Sequence, residues 1–180
     1  MNNAIKATSW EALAKTIQNS KDLLAATISG NEQAVAKAID LAHDENTSIL
    51  AYNDENSLAC VLSVAYIWAK NEYVIHREYA TGKGYADLVM IPRRNISKPA
   101  LVIELTNERE ESGACSNYPE REGSRRSQLK FNHSAETAID QIKQKNYPAK
   151  IADYTGDILL VGINYDNETK QHACKIESFQ

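Results

Sequence analysis

Apolar residues in the first third of the chain recur with helical spacing. The first set lies on one face of an amphipathic helix: Trp10, Leu13, Ala14 and Ile17. A second set follows Gly30, a helix-stopping residue, and marks another helix: Val35, Ala38, Ile39 and Ala42. From Asp54 to Lys70 the chain is apolar on most faces, which predicts a third helix lying against a sheet. We interpret residues 1–50 as an N-terminal helical segment.

Three segments rich in branched and aromatic residues follow, and turn signals bound each of them. They predict a three-strand meander over Tyr73–Arg77, Tyr85–Ile91 and Ala100–Leu105. Residues 106–128 show no periodic pattern, since Glu, Arg, Ser and Asn dominate and apolar residues are scarce. This composition predicts a long charged loop or a disordered insertion, because it cannot bury enough apolar surface to offset the entropy of ordering.

The last third of the chain predicts one helix and two strands. The apolar face of the helix comprises Ala135, Ala138, Ile139 and Ile142. Residues 158–163 predict a buried strand, and residues 172–176 predict an edge strand. The order of helix, three strands, helix and two strands favours an α/β fold with a mixed central sheet flanked by helices.

Charge, cysteine content and hydropathy limit the classes of protein that the chain can belong to, but they do not indicate a reaction. A net charge of −4 argues against a generally basic nucleic-acid coat, although it leaves room for a local basic groove. Cys60, Cys115 and Cys174 are odd in number and widely spaced, which indicates reduced thiols. No segment has the length and hydropathy of a membrane span, and the N-terminus lacks the apolar stretch of a signal peptide. We therefore expect a cytoplasmic protein.

Two acidic residues lie inside apolar strands, where an ionised carboxylate is rare unless it is paired or binds a metal. If the second and third strands form a hairpin with Ile91 opposite Ala100, equal steps place Asp87 opposite Glu104. Like charges there repel unless a cation lies between them, and oxygen ligands suit Mg²⁺ or Mn²⁺. The alternative is that one acid pairs with a nearby lysine or arginine while the other faces solvent.

Several separate segments resemble a known family. They are residues 55–58 (Glu-Asn-Ser-Leu), 81–89 (Thr-Gly-Lys-Gly-Tyr-Ala-Asp-Leu-Val), 99–105 (Pro-Ala-Leu-Val-Ile-Glu-Leu), 134–139 (Ser-Ala-Glu-Thr-Ala-Ile), 147–148 (Tyr-Pro) and 160–165 (Leu-Val-Gly-Ile-Asn-Tyr). Together they resemble the PD-(D/E)XK nuclease-like domain found C-terminal to an AAA-ATPase-like domain in many bacterial proteins. The similarity extends over most of the chain from about Trp10 onward, apart from the charged insertion. We expect the nuclease-like domain itself over residues 51–180.

The resemblance implies a restriction-endonuclease-like fold and a set of site residues. Asp87 and Glu104 match the two metal-binding acids, and the Leu105 carbonyl would be a further ligand. Glu55 matches an acid that many members carry on the first core helix, and the alternative is a carboxylate favoured by the helix N-terminal dipole. Gln141 matches a polar position on the second core helix that faces the site.

One motif position departs from the family. The motif has lysine two residues after the glutamate, and Thr106 stands there in this chain. Residues 129–136 (Leu-Lys-Phe-Asn-His-Ser-Ala-Glu) resemble the family's continuation, so the insertion splits the motif. Lys130 is then the displaced lysine.

We therefore expect metal-dependent hydrolysis of phosphodiester bonds in DNA or RNA, with Mg²⁺ or Mn²⁺ as the cofactor. Asp87 and Glu104 would hold the metal, and Lys130 would stabilise the anion or orient the attacking water. The competing hypothesis is a catalytically silent nuclease-like module that binds nucleic acid or docks onto an AAA-type ATPase. That module would show no Mg²⁺-dependent cleavage with both acids intact.

Overall fold

The computed structural model describes residues 2–46, 55–80, 85–93, 97–108, 134–146, 151, 154, 156–166 and 168–179. The helices are α1 (Asn2–Ile28), α2 (Glu32–Asn46), α3 (Glu55–Ala65) and α4 (Ala135–Lys145), with a 3₁₀ helix over Ile67–Asn71. The strands are β1 (Tyr73–Ala80), β2 (Tyr85–Pro92), β3 (Ala100–Glu108), β4 (Ile158–Asp166) and β5 (Gln171–Phe179). Among these residues, no helix is long and apolar enough to cross a membrane.

The described strands form one sheet in the order β1-β2-β3-β4-β5. Neighbouring strands are antiparallel except β3 and β4, which are parallel. A parallel pair needs a crossover connection, and α4 lies in that connection. The predicted α/β fold with a mixed central sheet flanked by helices is confirmed.

Each face of the sheet carries its own apolar core. On one face, α1, α2 and α3 pack against alternate residues of β2, β3 and β4, including Leu88, Ile103 and Val161. On the other face, Ile139 and Ile142 of α4 pack against a second set that includes Val102. The strands are buried on both sides, which explains why β2, β3 and β4 read as nearly continuous apolar runs.

The predicted helix α1 is confirmed, but the apolar stripe that predicts it is not its buried face. Trp10, Leu13 and Ile17 are 69%, 48% and 37% exposed. Among the side chains of α1 from residue 10 onward, the buried positions lie further along the chain and are Ser20, Leu23, Leu24 and Thr27. Helical spacing thus identifies the helix, whereas the contacts with α2, α3 and the 3₁₀ helix decide which face is buried.

Strands β1, β4 and β5 extend beyond the predicted segments. Two other predicted boundaries are wrong in ways that affect the core and the site. The single helix predicted from Asp54 to Lys70 is interrupted at Tyr66, whose fully buried hydroxyl bonds to the hydroxyl of Thr27, with 2.7 Å between the oxygens. Strand β3 continues through Glu108, so residues 106–108 belong to the sheet and not to the charged insertion. Parallel pairing with residues 164–166 of β4 provides backbone hydrogen-bond partners that composition does not reveal. Residues 109–133 lie outside the described part. The rest of the predicted charged loop, residues 109–128, falls within them and stays a prediction.

Helix α2 covers the edge of the sheet at β5 with two carboxylates. Asp40 accepts a hydrogen bond from the backbone N–H of His172 at 2.8 Å, and Glu32 accepts one from the backbone N–H of Ile176 at 2.9 Å. The same Asp40 oxygen is 2.7 Å from Nδ1 of the buried His172 ring. Edge-strand N–H groups are thereby satisfied by side chains, which blocks the addition of another strand at these points.

Helix α4 is well defined at both ends. The Ser134 hydroxyl accepts a hydrogen bond from the backbone N–H of Thr137, and the Thr137 hydroxyl accepts one from the backbone N–H of Ser134. Asn146 ends the helix in a left-handed conformation with a φ of 52°. The helix approaches β4 closely at Gly162, where an added Cβ would lie 2.2 Å from the Ala135 carbonyl oxygen. Only glycine allows this approach.

Candidate active site

The register of β2 and β3 brings the two acidic residues to neighbouring positions. Leu88 pairs with Ile103, and two further pairs follow in the same register. This is the register counted from the sequence, and one further step along it places Asp87 opposite Glu104. Both carboxylates therefore belong to the face of the sheet that α4 covers, because paired residues share a face.

The Asp87 carboxylate is held by the backbone of β3. Its Oδ2 accepts a hydrogen bond from the N–H of Leu105 at 2.7 Å. Such a bond limits rotation of the side chain. Asp87 itself is half-buried. The carboxylate thus lies at the boundary between the sheet and solvent with a defined orientation.

Glu104 is deeply buried and contacts two side chains of α4. Its side chain is 3% exposed. Its Oε1 accepts a hydrogen bond from Nε2 of Gln141 and lies 3.5 Å from Nζ of Lys145. Gln141 and Lys145 are four residues apart, so both project from one face of the helix. Gln141, which the family resemblance places near the site, does contact Glu104.

The environment of Glu104 favours its protonated form. Burial raises the pKa of Glu104 from 4.5 to about 8, and the negative charge of Asp87 adds to the rise. The Lys145 ammonium lowers the same pKa, so the two influences oppose each other. Burial wins, because removing a carboxylate from water costs more than one partly exposed ammonium returns. The carboxyl group is therefore mostly protonated at neutral pH when no divalent metal ion is bound.

Thr106, which stands at the lysine position of the family motif, has no cationic role. It is 8% exposed, and its hydroxyl donates to Oδ1 of Asn164 on β4 at 3.0 Å. The hydroxyl is a neutral group engaged with the adjacent strand. Position 106 therefore contributes a bond within the sheet and no positive charge.

The functional roles predicted for the site residues all remain predictions, and the structure adds least to three of them. Lys130 lies outside the described residues. Glu55 begins α3, but its side chain is also outside them. The backbone N–H of Leu105 bonds to Asp87, whereas a metal-ligand role of the Leu105 carbonyl rests on the family resemblance alone.

Two residues near the site were missed by sequence reasoning. Lys145 was missed because its approach to Glu104 depends on how α4 docks, which has no local signal. Glu78 lies on β1 between Arg77 and Tyr79, whose partners Leu88 and Ala86 flank Asp87 on β2. Its backbone has a φ of 49°, in the left-handed region. A non-glycine residue there costs on the order of 1 to 3 kcal/mol. Glutamate has no preference for this conformation, so the sequence contains no sign of it.

The donor set fits a small divalent cation. Among the described residues, no group of three or more His, Cys, Asp or Glu side chains is placed to hold a metal ion. Mg²⁺ is usually held by one or two carboxylates and completes its coordination with water and substrate phosphate. Asp87 and Glu104 meet that requirement, and a cation between them would remove the repulsion that raises the pKa of Glu104.

Comparison with known proteins agrees with this geometry. A family model described as the PD-(D/E)XK nuclease superfamily matches residues 53–174, which is more than half of the 180-residue chain. The chain belongs to the PD-(D/E)XK nuclease superfamily. Members of this superfamily are generally dependent on divalent metals, and their substrates are nucleic acids. A search of the curated proteins finds no match to the chain.

Proposed function

We propose that this superfamily member hydrolyses phosphodiester bonds of DNA or RNA with Mg²⁺ or Mn²⁺ held by Asp87 and Glu104. The observation that supports it most directly is the carboxylate pair on adjacent strands, one member of which is buried with a pKa raised to about 8. Structural carboxylates are rarely kept in so unfavourable an arrangement, whereas functional sites often contain such pairs.

The chain's own residues hold the two carboxylates in place. The Leu105 N–H orients Asp87, and the Gln141 amide orients Glu104. A divalent cation held by them would polarise the phosphate and lower the pKa of a water molecule that it binds. Glu104 releases its proton when the cation binds, so we expect binding to strengthen as the pH rises towards 8.

Cleavage assays with single-stranded DNA, double-stranded DNA and RNA test the proposal in the presence of Mg²⁺, Mn²⁺ or a chelator. We expect cation-dependent cleavage of at least one substrate, and its loss in Asp87→Asn. Asp140→Asn is the matched control, because Asp140 is an exposed carboxylate on α4. Calorimetry should show weaker Mn²⁺ binding for Asp87→Asn alone. Equal Mn²⁺ affinity in both variants would place the metal elsewhere and contradict the proposal.

A catalytically silent module is the second candidate, and Thr106 is the observation that favours it. A neutral, buried residue occupies the lysine position of the motif. Under this hypothesis the protein binds an oligonucleotide, or docks onto an AAA-type ATPase, without cutting nucleic acid. Oligonucleotide binding with no cleavage under any cation, while Asp87 and Glu104 are intact, would support the silent module over the nuclease.

A further inference from the structure

Two lysines in the last turn of α4 contact two different acids. The ammonium of Lys143 is 2.6 Å from Oε2 of Glu177 on β5. The ammonium of Lys145 is 3.5 Å from Oε1 of Glu104 on β3. The two side chains have the same chemistry and lie two residues apart on one helix. One of them reaches the edge strand, and the other reaches the carboxylate pair.

The Lys145 contact is looser than a charge-assisted hydrogen bond. Such bonds typically span about 2.7 to 2.9 Å between nitrogen and oxygen. The Lys143 pair is that short, whereas the Lys145 distance of 3.5 Å is longer. Oε1 of Glu104 already accepts a hydrogen bond from the Gln141 amide. Lys145 therefore adds charge near the carboxylate more than it adds a directed bond.

The position of Lys145 gives it access to solvent. Its side chain is 33% exposed, whereas that of Glu104 is 3% exposed. About a third of the Lys145 side chain is thus open to solvent, the side from which a ligand would arrive. Lysine suits contact with an anion, because its ammonium is a compact charge with three donors on a flexible stem.

Stability alone does not explain why a lysine stands at this position. Lys145 is partly exposed but Glu104 is buried, and the cost of desolvating a buried carboxylate offsets much of what the pair contributes, so the pair is a weak source of stability. The motif position that normally provides the positive charge is occupied by Thr106, whose hydroxyl is engaged with Asn164. The site therefore has a role for a positively charged side chain, and α4 brings the Lys145 ammonium beside the buried carboxylate.

We propose that Lys145 is a catalytic residue whose ammonium contacts the phosphate undergoing cleavage and replaces the lysine that the motif lacks at position 106. The inference rests on the proposed nuclease function. It assigns the cationic role to α4 and not to Lys130. The ammonium stabilises the negative charge that develops on the phosphate oxygens, while Asp87 and Glu104 remain the cation ligands.

The test compares Lys145→Met, Lys145→Arg, Lys130→Met and Lys143→Met, with thermal unfolding as the check that each variant is folded. We expect Lys145→Met to lower kcat by about 100-fold or more, with a much smaller change in KM, because the charge acts in the transition state. Lys145→Arg should retain part of the activity. Lys143→Met is the matched control from the same helical turn and should cleave like wild type. Mn²⁺ binding to Lys145→Met should be no weaker than to wild type, since a neighbouring positive charge is removed.

The outcomes separate this inference from the proposed function. Wild-type activity in Lys145→Met, or loss of activity in Lys130→Met alone, would overturn the assignment and leave the nuclease function in place. If wild type cleaves nothing, the nuclease function fails, and binding of a fluorescent single-stranded DNA then decides. Affinity at least tenfold lower in Lys145→Met than in Lys143→Met would support the phosphate contact, and equal affinities would refute it. If Lys145→Met does not fold, Lys145→Gln replaces it in every arm.

Discussion

Replacing Glu104 by glutamine should stabilise the metal-free protein while it removes metal binding. The glutamine amide preserves the shape of the side chain and can still accept the hydrogen bond from Gln141. What changes is the carboxyl proton, which the folded protein retains up to a pKa of about 8, against 4.5 for an ordinary glutamate. The unfolded chain loses that proton near 4.5, so between these values the unfolded state binds fewer protons than the folded state. The free energy of unfolding therefore falls as the pH rises through this window.

The size of the effect follows from the difference between the two pKa values. One pKa unit corresponds to about 1.4 kcal/mol, so the contribution of Glu104 falls by at most that amount per pH unit. Over the whole window, the wild type loses about 4 to 5 kcal/mol relative to Glu104→Gln. This is a large share of the roughly 5 to 15 kcal/mol that stabilises a typical domain. The variant should thus exceed the wild type by a margin that grows with pH.

Urea unfolding in the presence of a chelator, at several values between about pH 5 and pH 8, measures this margin. Ionisable groups remote from position 104 contribute equally to both proteins, so the difference reports on Glu104 and on the two charged groups that face it, Asp87 and Lys145. Glu177→Gln is the matched control, because Glu177 also pairs with an α4 lysine but its side chain is 37% exposed. We expect its difference from wild type to stay nearly constant with pH. Mn²⁺ at 100 times its Kd should stabilise the wild type by about 2.7 kcal/mol and the Glu104→Gln variant far less.

A constant difference between Glu104→Gln and wild type across this range would refute the reasoning. It would mean that Glu104 is ionised in the folded protein at neutral pH, with Lys145 outweighing burial. A Glu104→Gln variant that is less stable than wild type at pH 8 would lead to the same conclusion. The carboxylate would then be an ordinary structural ion pair, and the argument for a strained functional site would fail.

Three further predictions concern how the helices hold the sheet. Gly162→Ala should cost about 1 to 3 kcal/mol in urea unfolding, because the new Cβ would lie 2.2 Å from a backbone oxygen of α4 and the helix must move; unchanged stability would mean that the approach is not tight. Thr27→Val should cost about 1 to 3 kcal/mol, since the buried Tyr66 hydroxyl loses its partner; the loss should be smaller when Tyr66→Phe is already present, where only the bond from Thr27 to the Leu23 carbonyl remains to be lost, and additive losses would contradict the contact. Burial lowers the pKa of His172 below its ordinary value of 6.5. As the pH falls, the unfolded chain therefore protonates this histidine before the folded protein does, and the free energy of unfolding decreases below pH 6.5. In the Glu104→Gln background this acid-side loss should be visible by urea unfolding, and His172→Gln should reduce it.

Part of the candidate site could be predicted from local pattern. The register between β2 and β3 was countable because buried strands alternate faces with a period of two, so a slip of one residue would turn every apolar side chain the wrong way. That constraint places Asp87 next to Glu104 even across an eight-residue connection. The family match adds Gln141, which contacts Glu104. The register inference needs only the order of residues along adjacent strands.

The rest of the site depends on contacts that have no local signal. Lys145 is one of two similar lysines in its helical turn, and only the docking of α4 decides which of them reaches Glu104. That docking depends on Gly162, which is distant in sequence and looks like an ordinary strand residue. The extension of β3 through residues 106–108 likewise depends on pairing with β4.

The sequence by itself determined the type and order of the elements, because hydrophobic periodicity is a local property of the chain. It also showed that two acids lie in apolar strands, where their cost requires an explanation. The tertiary structure decided which face of α1 is buried, where β3 ends and which lysine contacts Glu104. Each of these depends on which distant segments meet, and a periodic pattern describes a segment's own faces without stating what packs against them.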